Sequence, residues 1–207
     1  MKRLQIILIA CLISAGSAFA QEGRSGIKGG LNLSNLSMDG SNDKNMRVGF
    51  HIGAFTSFDL AGNFAIQPEL LYSQRGTKYD YDGVLLDSEV TYNFGYLDLP
   101  VYLVYNLSED FNFKFGPYVG YMITANAESD NNFLGFEFSG SEELNPASFN
   151  RLDAGLSLGL GFEPGSFIFG FNYNIGLTKI GKEGEDTGML LGDARNSLIQ
   201  VYAGFKF

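Results

Sequence analysis

Charged residues recur on the polar faces of alternating segments: Lys28, Glu69, Arg75, Asp98, Lys114, Arg151, Asp153 and Lys206, with His51 nearby. Acids and bases facing one another across a narrow interior can do two kinds of chemistry. They can neutralise each other as a network, because an isolated buried ion is costly. They can also relay protons or ions, with Glu69, Asp98 and Arg151 as the steps. Hydrolysis or acyl transfer would need a nucleophile beside a base, usually histidine. His51 is the one histidine, and it stands in mid-segment where a satisfied packing role is the simpler reading. We therefore assign no catalytic residue, cofactor site or metal site.

A second group of ionisable residues lies between the segments. Fifteen acids, from Asp39 and Asp43 through Asp80, Asp82, Asp87 and Glu89 to Asp193, face five bases there. A solvated, repulsive surface is the plain reading. A sharper one is divalent-cation bridging to anionic lipopolysaccharide, since carboxylates are hard ligands for calcium. Asp80-Tyr81-Asp82-Gly83 lacks the spacing of a calcium loop, so this signal is weak.

The elements that must position these groups are strands. Period-two alternation marks eight segments, roughly 25–34, 47–58, 63–75, 93–106, 111–123, 150–162, 167–177 and 196–207. The final segment sets Ile199, Val201, Ala203, Phe205 and Phe207 against Leu198, Gln200, Tyr202, Gly204 and Lys206. The seventh sets Phe167, Phe169, Phe171 and Tyr173 against Gly170, Asn172 and Asn174. Short connections near 59–62, 107–110 and 163–166 alternate with long ones over 35–46, 76–92, 124–149 and 178–195. An even strand count with short turns on one side and long loops on the other is the layout of an outer-membrane barrel with periplasmic termini. Phe133 to Phe138 are expected to extend two strands above the membrane as a hairpin; the other reading is an adhesive edge for a protein partner.

Alternation alone does not say which face meets lipid, because a lipocalin-like soluble barrel has the same period. The polar face mixes both signs of charge with glycine, as suits a narrow packed interior. The apolar face is bulky and aromatic, with Tyr72, Tyr105 and Tyr121 near strand ends as an interfacial girdle would be. The chain also lacks tryptophan, which a lipocalin usually carries near its first strand. Phe167, Phe169, Phe171, Tyr173, Phe205 and Phe207 are accordingly expected to be lipid-facing anchors. Pro68, Pro100 and Pro117 fall inside segments, where each removes a ladder donor and marks a bulge or a rim.

The front end reads as a secretory signal over residues 1–20: Lys2 and Arg3, an apolar run from Leu4 to Ile13, then Ala18-Phe19-Ala20. A rival is a lipoprotein box at Leu8-Ile9-Ala10-Cys11, although almost no apolar run precedes Cys11. The remaining 21–207 form one domain by length. Formal charge is −9 for the whole chain, which argues against nucleic acid as a partner.

Five motifs in order carry a family resemblance: Gly26-Ile27-Lys28-Gly29-Gly30-Leu31-Asn32-Leu33-Ser34, Gln67-Pro68-Glu69-Leu70-Leu71-Tyr72-Ser73-Gln74-Arg75-Gly76, Tyr96-Leu97-Asp98-Leu99-Pro100, Gly116-Pro117-Tyr118-Val119-Gly120 and Tyr173-Asn174-Ile175-Gly176-Leu177-Thr178. Together they resemble the PorT-like outer-membrane β-barrel family over essentially the whole of 21–207. The resemblance implies an eight-stranded barrel in the outer membrane of a Gram-negative bacterium. It would place an arginine before the tyrosine of the seventh segment, where this chain has Asn172.

The expectation is thus an all-β, eight-stranded antiparallel up-and-down transmembrane barrel in the outer membrane, filled by side chains and acting without catalysis or cofactor. Its role is structural or interactive. The alternatives are a small-solute pore and, as for PorT, a part in a surface-protein secretion system. Its partners are outer-membrane lipid, lipopolysaccharide and other envelope proteins reached through the loops.

Overall fold

The computed structural model describes residues 23–37, 46–82, 86–133, 136–182, 184 and 193–207. The proposed signal, Cys11 and the acids Asp39, Asp43, Glu183, Glu185 and Asp186 lie outside the described residues. Nine strands form one antiparallel sheet: β1 (Arg24–Ser37), β2 (Arg47–Asp59), β3 (Phe64–Asp82), β4 (Leu86–Asn106), β5 (Phe111–Phe133), β6 (Phe136–Glu143), β7 (Leu152–Phe162), β8 (Phe167–Lys179) and β9 (Arg195–Lys206). Each pairs with its chain neighbour, except that β5 passes from β6 to β7, and β1 pairs with β9 to close the ring. Eight strands make the wall and β6 stands outside it.

The sequence periodicity located the wall but stopped short of the full strands. Crossing the hydrocarbon takes ~9–11 tilted residues, whereas β3, β4 and β5 run 19, 21 and 23 residues. Residues expected to be loop at 76–92 instead continue the β3–β4 ladder out to Asp82 and Asp87. The upper part of β5 pairs with β4 on one side and with β6, from Asn126↔Glu143 to Phe133↔Phe136, on the other. A hairpin stands at 133–138 as expected, but it extends only one wall strand: β5 continues into it, whereas β6 ends at Glu143 and β7 begins separately at Leu152. Outside lipid neither face needs to be apolar, so alternation of polarity fades while the backbone ladder persists.

Alternation inside the membrane-length segments sorts as the polarity did. On β1 Lys28, Asn32 and Ser34 are buried while Ile27 and Leu31 are exposed, and on β7 Asp153 and Ser157 are buried while Leu152, Leu156 and Leu158 are exposed. A barrel of this size leaves an interior just wide enough for side chains. Large inner residues therefore face glycines: Tyr118 lies opposite Gly155 and Tyr202 opposite Gly170. A Cβ on Gly155 would come within 2.6 Å of the Tyr118 ring. The two short turns that carry Gly62 and Gly165 use them at φ 70° and 60°, a backbone state costly for other residues.

The prolines act on one side each. Pro68, Pro100 and Pro117 keep register with the following wall strand, as Pro68↔Val101, Pro100↔Tyr118 and Pro117↔Leu156. Registered pairing lapses beside each of them on the preceding strand, between Phe55↔Glu69 and Phe58↔Ile66, between Pro68↔Val101 and Leu71↔Asp98, and between Pro100↔Tyr118 and Leu103↔Phe115. That is the side on which the missing N–H would have bonded. The register shift in the β4–β5 ladder lies elsewhere, between Gly95 and Tyr96, so no bulge coincides with a proline there.

Candidate functional site

Among the described residues, buried ionisable groups converge in the lumen. On the loop side Arg75 bridges Asp98 and Asp153, the latter at 2.5 Å from Nη1, with all three side chains almost wholly inaccessible. Asp153 also accepts from the Tyr118 hydroxyl at 3.2 Å, from Asn196 at 2.9 Å and, through Oδ1, from Thr178 at 2.9 Å. The Arg75 guanidinium lies 4.7 Å from the Tyr96 ring and 5.4 Å from that of Tyr118. Strands β3, β4, β5, β7, β8 and β9 each supply a member, so the cluster ties the wall together across its diameter.

On the short-turn side the arrangement is inverted. Glu163, in the turn after β7, pairs with Lys114 at 3.3 Å and with Lys206 at 3.1 Å, and accepts from Asn112 at 2.8 Å. Burial alone would raise the Glu163 carboxyl, but Lys114, Asn112 and Lys206 together hold it below the usual carboxylate range. Next to it Lys28 pairs with Glu69 at 2.6 Å and lies 4.3 Å from the Tyr202 ring. Gln67 joins the two sets, donating to Glu69 at 2.8 Å and accepting from Lys114 at 3.4 Å.

Neutral groups fill the middle. The His51 Nδ1 lies 2.7 Å from Asn32 Oδ1, and Asn32 donates to Ser73 at 3.0 Å. Gln200 donates to Asn32 and accepts from Asn174, each at 3.2 Å, and Asn174 accepts from Ser157. Beyond the loop-side ions an apolar cluster of Phe94, Tyr96, Met122, Ala125, Phe149, Ile180 and Ala194 lies across the mouth. Near the short turns Phe55, Ile168 and Tyr202 pack together, as do Ala65, Tyr102 and Val104, at the level of the ions rather than beyond them: Tyr202 lies 4.3 Å from Lys28, and Val104 is in register with Lys114.

Outside, the wall is continuously apolar. Phe167, Phe169, Phe171, Tyr173, Phe205 and Phe207 are all exposed on it. Three cross-strand aromatic pairs mark the short-turn rim: Phe64 with Tyr105 at 5.0 Å, Phe111 with Phe162 at 4.7 Å and Phe167 with Phe205 at 5.9 Å between centroids. An apolar exterior band bounded by aromatic residues around a polar, side-chain-filled interior is the arrangement of a membrane barrel.

The sequence pattern of the outer membrane protein beta-barrel domain matches residues 19–181. This chain belongs to that family. The protein is an outer-membrane β-barrel. Among solved structures it is similar to Ail, the attachment invasion locus protein of Yersinia pestis, in its complex with the heparin analogue sucrose octasulfate: identity is 17%, coverage 90% of this chain and 100% of that one, and TM-score 0.50. Neisserial surface protein A is 10% identical over 89% of this chain and 97% of its own, with TM-score 0.43. OprG from Pseudomonas aeruginosa is 15% identical over 90% and 96%, with TM-score 0.33. The likeness to Ail speaks to the fold alone. No curated protein matches the chain.

Within this family member the structure brings together Lys28, His51, Glu69, Arg75, Asp98, Lys114, Asp153 and Lys206 along the lumen. Arg151 does not join them. Its Nε donates to the Met122 carbonyl at 3.1 Å and its guanidinium lies 4.5 Å from the ring of the outward-facing Tyr121. The physical reason is its place: β7 begins at Leu152, so the strand period that would send Arg151 inward does not apply one residue earlier. The relay through Glu69, Asp98 and Arg151 loses a step. Glu163 falls in a short connection, outside the alternating segments that mark the inner face, so periodicity does not single it out; an acid in a turn beside two inward lysines is the available signal. The inward tyrosines, Asn32 and Gln200 were visible on the polar face but carry no charge to draw notice.

Proposed function

We propose that the protein acts in the outer membrane as a sealed scaffold that presents a rigid extracellular sheet to other envelope or surface proteins. Residues 21–207 form this barrel after removal of the 1–20 leader, with Phe167, Phe169, Phe171, Tyr173, Phe205 and Phe207 as its lipid anchors. The observation that carries the reading is the lumen: its cations and carboxylates neutralise one another, and an apolar cluster lies across the loop-side mouth. Conduction needs a path of hydrated groups, and here the polar middle is packed between side chains instead.

The outer parts of β3, β4 and β5, with β6, make a sheet that overshoots the hydrocarbon by about ten residues on the ~9–11 needed to cross. Among the described residues β6 pairs only with β5, so its other edge offers unpaired backbone donors and acceptors to an incoming strand. Catalysis is not part of this reading. Ser73, Asn32 and His51 are bonded in sequence but all are buried, so no substrate reaches them. Membership of the PorT-like branch, and with it a part in surface-protein secretion, rests on the five motifs.

Planar-bilayer recording on the purified, folded protein tests the sealed lumen. The expected trace has no steady current at either polarity. Stable conductance steps that scale with salt would replace this reading with a small-solute pore.

A further inference from the structure

On the short-turn side the lumen carries one positive charge more than its carboxylates match. Lys28, Lys114 and Lys206 face Glu69 and Glu163 there, three cations to two carboxylates. The side chains of Lys28 and Lys114 are each 1% exposed, so bulk water does not solvate the excess. Lys114 is also loosely held. Its Nζ stands 3.3 Å from Glu163 and 3.4 Å from Gln67, longer than the ~2.7–2.9 Å of a well-made ionic hydrogen bond.

Beside Lys114 the inner wall is floored by glycine. Lys114 is in register with Gly159, and Gly159 with Asn172; one row nearer the short turns Gly161 is in register with Gly170, and Gly170 with Tyr202. The two rows are about 7 Å apart, two residues along a strand. A Cβ on Gly159 would lie 2.1 Å from Asn172 Oδ1, and one on Gly170 would lie 2.4 Å from the Tyr202 hydroxyl. Both polar heads therefore rest on this floor. Asn172 is wholly buried, and neither atom of its amide has a hydrogen-bond partner. The buried Tyr202 hydroxyl has no acceptor for its proton, and its ring lies 5.8 Å from Lys114 Nζ.

We propose that this floor binds a small monovalent anion of the halide class, held by the Lys114 ammonium, the Asn172 Nδ2 amide and the Tyr202 hydroxyl. One negative charge cancels the one excess positive charge. A water molecule would take the same hydrogen bonds and leave that charge in place. A divalent oxyanion would overshoot it and bring more acceptor oxygens than these donors serve. The approach is from the short-turn rim, where the side chains of Glu163 and Lys206 are 13% and 16% exposed, since an apolar cluster lies across the other mouth. The site is a blind end that carries no current, so it goes beyond the sealed-scaffold reading and its failure would leave that reading untouched.

The test uses the full mature protein, folded in a neutral detergent, with bromide as the probe. Crystals soaked in sodium bromide should show an anomalous peak beside Lys114 Nζ and Asn172 Nδ2. In solution, sodium bromide should raise the urea midpoint of the folded band above that in sodium gluconate at equal ionic strength, gluconate being monovalent but too large to enter. Asn172→Leu keeps every charge and should weaken the apparent bromide affinity roughly tenfold, equivalent to about 1.4 kcal/mol. Tyr202→Phe should weaken it less, and takes the place of Asn172→Leu if that variant does not fold. No peak in the lumen, equal midpoints in the two salts, or a bromide response that the variants retain in full would each overturn the proposal, the last marking an adventitious ion only.

Discussion

The two ends of the lumen solve the same problem with opposite stoichiometry. Near the loops one cation, Arg75, serves two carboxylates, Asp98 and Asp153; near the short turns one carboxylate, Glu163, serves two lysines, Lys114 and Lys206. The first set carries −1 and the second +1, and Lys28 with Glu69 adds nothing, so four cations and four carboxylates sum to zero. The whole chain, by contrast, carries −9. Charge is balanced only where water is excluded, because buried ions must be compensated and exposed ones need not be. The ends also differ in support. Arg75 and both its partners come from strands, while Glu163 comes from a turn beside the rim.

That difference predicts a graded response. Arg75→Met should be the most damaging change in the molecule, since it strands two buried carboxylates together. The expected loss is roughly 3–5 kcal/mol, read as a lower urea midpoint for the folded band. Adding Asp98→Asn and Asp153→Asn to that variant should restore most of the loss. If it does not, packing by the guanidinium rather than its charge is what matters there.

Glu163→Gln should cost less, roughly 1–3 kcal/mol, because the lysines it leaves are close enough to the rim to recruit water. Its pH dependence has a definite sign. The folded carboxyl is held below its ordinary value of 4.5, so its stabilisation is present above that pH and is lost as pH falls through the folded value. The midpoint gap between wild type and Glu163→Gln should be constant near neutrality and close in acid. A gap that widened in acid would contradict the pairing.

Outside the lumen the effects should shrink again. Asp59→Asn removes the exposed pair with Arg24, made at 2.6 Å with about half of each side chain or more in solvent; the expected change is within ~1 kcal/mol. Excising the protruding β5–β6 hairpin and rejoining the strands with a tight turn should leave the urea midpoint of the barrel within ~0.5 kcal/mol of wild type. A larger loss would mean that the projecting sheet is part of the barrel's stability rather than a platform on it.

Much of this fold was legible in advance, because lipid on one side and a packed polar lumen on the other force a period of two on every crossing segment. Short-turn positions, the outward phenylalanines and the inward charges followed from that. The extracellular continuation of β3 and β4 did not, since water on both faces removes the constraint that writes strands into the polarity pattern. Arg151 failed for a related reason: parity holds only within a strand, and β7 starts at Leu152, two residues after the expected start of its segment.

By itself the amino-acid order determined the wall: which residues are oily, at what spacing, and how many times the chain crosses. Who neutralises whom inside was decided only by closure of the ring. Arg75 meets Asp153 across 78 positions of chain, and Glu163 meets Lys206 across 43. Such partners come from different staves, and the shear between strands, which no local pattern records, sets the height at which their side chains meet.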